Sequence, residues 1–136
     1  MPDIYDKLLS KLKVIQSKAW LVSRYDEDRS GKIKPKITPR YFGVITLKGN
    51  KIYYQGSFMR LKKINLVIPL GNILQINIFA GRHLRIKWIG RDRIIHNAMF
   101  LIGELHEFNI AYPSKNAAEV WFNLITRALQ RMEKKK

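Results

Sequence analysis

Cysteine is absent from the 136 residues. That excludes disulfides and thiolate metal sites and says nothing of redox compartment. No run approaches the ~18 apolar residues of a membrane-spanning helix. The opening residues, MPDIYDKLLSKLK, carry acids and lack a secretory apolar core, which points to the cytoplasm. Histidine is sparse: His83, His96 and His106 lie in separate segments without metal-ligand spacing. A lone strand histidine such as His96 reads as structural rather than as a base. No serine–histidine nucleophile arrangement is evident. Glu104 and Glu107 are the only closely spaced carboxylates of the C-terminal half, and they lie at an expected turn. Arg29-Ser30-Gly31-Lys32 lacks the glycine–lysine spacing of a phosphate loop. The expectation is a protein that is not an enzyme, with no metal and no cofactor.

Acidic residues are the most informative shortage. Lys and Arg total 26 against 10 Asp and Glu, a net charge of +16. From Arg29 to Arg91 there are fourteen basic residues and no acid; Asp26, Glu27 and Asp28 stand just before that stretch. Such a field favours a polyanionic partner: a phospholipid surface, a nucleic acid or an acidic protein. It also suits solubility alone, or a generally basic proteome.

What is present is mostly alternation. A chain of this length fits one domain, 1–136, able to bury roughly two-thirds of its unfolded surface. Ile4, Leu8, Leu12 and Ile15 recur at helical spacing, so an N-terminal helix is expected over 1–17. Seven strands are expected over 18–112. The candidates are Trp20–Tyr25, Tyr41–Leu47, Ile52–Gln55, Ile64–Pro69, Ile73–Phe79, Leu84–Trp88, Ile94–Ile102 and Glu107–Tyr112, with Ile64–Phe79 either one bent strand or two. Polar, Gly- and Pro-containing stretches at Asp26–Pro39 and Gly56–Lys63 read as basic loops. Over 113–132, Ala117, Trp121, Leu124, Ile125, Ala128 and Met132 form one helical stripe. Lys115, Asn123, Arg127 and Arg131 fall off that stripe, and Asn116 with Glu119 has capping-box spacing. Residues 133–136 read as a solvated basic tail. Strands followed by an amphipathic helix predict an α+β, mainly β architecture: a seven-stranded antiparallel sandwich or partly open barrel with the helix over its open side.

Four pieces carry a resemblance: GVITLKGNKIYY (Gly43–Tyr54), VIPLGNI (Val67–Ile73), LRIKWIGRDRIIHNAMF (Leu84–Phe100) and FNIAYPSKNAAEVWFNLI (Phe108–Ile125). In this order and spacing the chain resembles the pleckstrin-homology-like superfamily, most closely its GRAM-type and prokaryotic members. The first piece resembles the family's glycine-led hairpin. The second resembles its isoleucine-proline-leucine step. The last resembles its final strand and capping helix, with Trp121 where the family keeps a tryptophan. The resemblance implies two near-orthogonal sheets of four and three strands, closed by the helix. It also implies an anionic lipid headgroup bound at the loops of the open end. Unlike the family's phosphoinositide readers, this chain has a long first loop that begins with three acids.

Strand alternation puts the loop after the first strand and the loop after the third at one end. Those loops carry Lys32, Lys34, Lys36, Arg60, Lys62 and Lys63, the candidate anion-binding residues. The first expected function is docking on an anionic lipid surface, peripheral to a membrane. A second is protein–protein interaction with an acidic partner through the N-terminal or capping helix, with a homodimer left open. A third is non-specific nucleic-acid binding, with Tyr41, Tyr53, Tyr54 and Trp88 as stacking surfaces between cations.

Overall fold

Period-two alternation begins earlier in the chain than expected. The structure, a computed structural model, describes residues 7, 9–10, 14–27, 33–35, 41–59, 61–79, 83–106 and 117–134. The strands are β1 (Val14–Glu27), β2 (Ile33–Pro35), β3 (Tyr41–Lys48), β4 (Lys51–Phe58), β5 (Lys62–Pro69), β6 (Ile73–Phe79), β7 (His83–Ile89) and β8 (Ile95–His106). Helix α1 spans Ala117–Lys134. A single 3-10 turn, Leu70–Asn72, separates β5 from β6, so Ile64–Phe79 is two strands rather than one.

The helix expected over 1–17 does not reach Ser17, because Val14 to Ser17 belong to β1. Ile15, Ser17, Ala19 and Leu21 are buried while Lys18 and Trp20 are exposed, the signature of a half-buried strand. Ile15 satisfies the helical and the strand period alike. Pairing decides for the strand: residues 14–21 bond to β3 on one side, and from Gln16 onward β1 bonds to β8 on the other. Upstream, Lys7, Leu9 and Ser10 are helical. Leu9 packs against the core, and Arg131 donates to the Ser10 hydroxyl at 3.0 Å. The remainder of 1–13 lies outside the described residues.

Among the described residues the path β5-β4-β3-β1-β8-β7-β6 is one antiparallel sheet, with β2 paired to β1 beside it. The expected sheets of four and three strands are therefore joined through β1. Register shifts between Ser17 and Ala19, and between Leu21 and Ser23, mark bulges on its β8 side. Bulges bend a strand and increase its twist, which lets β1 serve both halves of a curled half-barrel.

The core fills the concave side, with Ile45, Ile52, Ile68, Leu84, Ile86 and Phe100 fully buried. Helix α1 lies against β6, β7, β8 and the 3-10 turn. Its expected stripe faces that core: Trp121, Leu124 and Ile125 are buried, and Ala117, Ala128 and Met132 pack beside them. The Trp121 indole N–H donates to the Ser17 hydroxyl at 2.8 Å, tying the helix to β1. Glu133 and Lys134, expected in a tail, continue the helix. Residues 107–116, including the expected last strand and Asn116, lie outside the described residues.

Candidate functional site

Strand register fixes which connections share an end. Leu21 faces Tyr41, Phe42 faces Ser57, and Ser57 faces Lys63. The β4–β5 turn therefore lies at the end where β1 runs on toward Glu27. Glu27 faces Ile95, so the β7–β8 turn lies at that end too, and β2 folds back there with Lys34 opposite Asp26.

Both expected basic loops are more regular than the sequence suggested. Within Asp26–Pro39, Asp26 and Glu27 belong to β1 and Ile33–Pro35 to β2. Gly56–Lys63 shrinks to a tight turn: Gly56–Phe58 end β4, Lys62 begins β5, and the Leu61 amide donates to the Phe58 carbonyl at 3.0 Å. Met59 takes a φ of 50° to close it. Polar residues misled here, because sheet hydrogen bonding does not require apolar side chains at a strand's outer end.

Of the six candidate cations, Lys62 and Lys63 are described in full and both are exposed. Lys34 is placed by its backbone alone, in β2. Lys32, Lys36 and Arg60 lie outside the described residues. Arg91 and Arg93, not singled out from the sequence, sit exposed in the β7–β8 turn at the same end. That turn is held by Gly90 donating to Ile94 at 2.9 Å, Arg93 donating to Gly90 at 3.0 Å and Ile94 donating to the Asp92 carboxylate at 2.9 Å. The sequence had marked the turn; what it lacked was the strand pairing that says which end it occupies.

Of the three acids at the start of the first loop, Asp26 and Glu27 are engaged by neighbours, and Asp28 lies outside the described residues. The Asp26 carboxylate lies 2.9 Å from His96 Nδ1, and the imidazole stacks on Trp88 with centroids 5.4 Å apart. Its Nε2 is 3.6 Å from Asp92. Glu27 lies 3.7 Å from Lys87. Gly90 leaves the room this cluster needs: a Cβ there would fall 2.7 Å from both His96 Nε2 and Asp92 Oδ1. On the opposite face of the same strands, Arg85 bonds Tyr25 and Asn97. His96 thus lies between two carboxylates, and its contact with Asp26 ties β8 to β1. Among the described residues no group of three or more His, Asp or Glu could hold a metal.

Three of the four aromatics expected as stacking surfaces are core residues. Tyr41, Tyr54 and Trp88 are buried, and Tyr53 is half-buried. On β7 aromatic and cations lie on opposite faces, Trp88 inward and Arg85 and Lys87 outward, whereas on β4 Tyr53 shares a face with Lys51, two residues away. No helix among the described residues is long and apolar enough to cross a membrane.

A meander of seven strands curled through a shared first strand, with a C-terminal helix over the open corner, is a pleckstrin-homology-like fold. No family model matches the chain, and no curated protein does. Among solved structures it is similar to the pleckstrin homology (PH) domain of USP37, with 16% identity and a TM-score of 0.39, covering 88% of this chain and 99% of that one. A likeness at that level carries nothing about ligand or partner.

Proposed function

We propose that this chain is a binding module that docks on anionic phospholipid headgroups through the basic end of its half-barrel. Lys32, Lys34, Lys36, Arg60, Lys62 and Lys63 are the proposed contacts, with Arg91 and Arg93 beside them. The carrying observation is the register that brings β2, the β4–β5 turn and the β7–β8 turn to one end of the sheet, in a chain with no acid between residues 29 and 91. The engagement of Glu27 by Lys87 supports it, since that carboxylate is partly offset where it would oppose an anion. Each cation near an anionic surface contributes about 1 kcal/mol, so six give on the order of 5 kcal/mol, enough for reversible attachment. This reading places the protein peripherally at a membrane facing the cytoplasm.

The test is co-sedimentation with vesicles of phosphatidylserine and phosphatidylcholine against phosphatidylcholine alone. Anionic vesicles should retain the protein at low salt. Charge reversal of Lys62 and Lys63 to Glu should weaken retention at least roughly tenfold, with the fold intact because both side chains are exposed. Equal retention on neutral vesicles, or none on anionic ones, overturns the proposal. Capture by a single acidic protein, or by nucleic acid at low salt, with vesicles ignored, would instead assign the charge to that partner.

A further inference from the structure

Four large apolar side chains are exposed around one corner of the sheet. Trp20 on β1 and Phe42 on β3 are 41% and 42% exposed and pack on each other with centroids 4.6 Å apart. They are on the face turned away from the core, since Ala19 and Leu21 on either side of Trp20 are buried. The register row continues from Trp20 through Phe42 and Ser57 to Lys63. Two residues beyond Ser57, and two before Lys63, stand Met59 and Leu61, 74% and 84% exposed. Two residues along a strand are roughly 7 Å, so the aromatic pair and the turn tip adjoin, with Lys62 and Lys63 at the margin.

We infer that this corner enters an anionic bilayer, with Met59 and Leu61 reaching the acyl-chain boundary and Trp20 and Phe42 lying at headgroup depth. The inference rests on the lipid-docking reading and adds a second, apolar contact on the sheet's outer face. Three observations choose the bilayer. The tip protrudes as a tight turn, which a fluid interface admits without a complementary groove. Its rim is cationic, matching an anionic headgroup layer, and Lys side chains keep their charge at that level while their stems follow the apolar surface. A second copy would oppose like charge to like, in a chain of net charge +16.

Trp20 makes the inference measurable, because the other two tryptophans, Trp88 and Trp121, are 4% and 0% exposed. The experiment records tryptophan emission as phosphatidylserine–phosphatidylcholine vesicles are added, with phosphatidylcholine brominated near the head of its chains as quencher. Emission should shift to the blue and be quenched. The Met59→Asn, Leu61→Ser double variant should bind roughly tenfold more weakly, as expected for losing partial burial of two apolar side chains. Asn suits the positive φ at position 59, so the turn is retained. In about 1 M salt, where screening falls to about 3 Å, the wild type should keep residual vesicle binding that the double variant lacks. Anionic binding with Trp20 unquenched and the double variant unimpaired overturns this inference and leaves headgroup docking standing. Absence of binding to any vesicle removes both. A dimer in solution that the double variant dissociates assigns the corner to a second copy instead.

Discussion

Tyr54 shows how small residues and one hydroxyl shape the inside of this fold. Its ring occupies space left by Gly56 on β4, while Gly43, facing Gly56 on β3, makes room for the β4 backbone. A Cβ on Gly56 would fall 2.7 Å from the Tyr54 hydroxyl, and one on Gly43 would fall 1.8 Å from the Gln55 carbonyl. The buried hydroxyl is 3.0 Å from both the Ala19 and Tyr41 carbonyl oxygens, linking β4 to β1 and β3. Burial raises its pKa from 10.0 to about 12, against a smaller lowering by a backbone bond from Leu21. The fold therefore holds the protonated phenol, while the unfolded chain releases its proton first as pH rises. The resulting stability is whole below about pH 10 and is lost as pH climbs toward 12. Tyr54→Phe should cost about 1–2 kcal/mol at neutral pH, and the gap between wild type and variant in urea melts should narrow across that alkaline interval. An unchanged gap would mean that the phenol is not held as the geometry indicates. From the sequence Tyr54 looked like a stacking surface, because nothing local says which face of a strand is inward. Lys62 and Lys63 were legible as exposed cations for the opposite reason, since two adjacent lysines cannot both be buried without partners.

At the scale of elements, β1 and α1 carry the architecture, and they were unequally legible. The α1 stripe is a local pattern of threes and fours, so its buried face was readable residue by residue. β1 was half hidden. Its first residues satisfy a helical period, and an inward serine at position 17 breaks the apolar alternation. Ser17 is inward because Trp121, more than a hundred residues later, donates to it at 2.8 Å. No sequence window contains both partners. The same limit hid the pairing of β2 with β1 and the placing of the β7–β8 turn. Ser17→Ala leaves the indole N–H buried without an acceptor and should cost about 1–3 kcal/mol. Trp121→Phe removes donor and packing together and should cost more. In the double variant the two losses should fall short of additivity by about 1 kcal/mol, read from denaturant midpoints at constant slope. Strict additivity would show that the bond contributes nothing to holding the helix on the strand.

At the scale of the whole molecule, charge is the property least explained by folding. A half-barrel with a helical lid needs an apolar concave side and a polar outside; it does not need 26 cations against 10 acids. Ten acids cannot neutralise 26 cations, so the surplus acts as a repulsive field opposing the compact state. Simple salt should therefore raise the melting temperature by screening that field. A multivalent anion that bridges the basic end should raise it further at matched ionic strength, because binding to the folded state adds stabilisation as ligand concentration exceeds its dissociation constant. Inositol hexakisphosphate and sodium chloride can be compared by thermal melts at equal ionic strength, in the wild type and in the Lys62→Glu, Lys63→Glu variant. The excess shift with the polyphosphate should be present in the wild type and largely lost in the variant. If the excess survives charge reversal, the anions are read by the surface as a whole, and the focus on one end of the sheet fails. If no excess is seen in either protein, the field is diffuse, and its role is confined to drawing the protein toward anionic surfaces rather than gripping one headgroup.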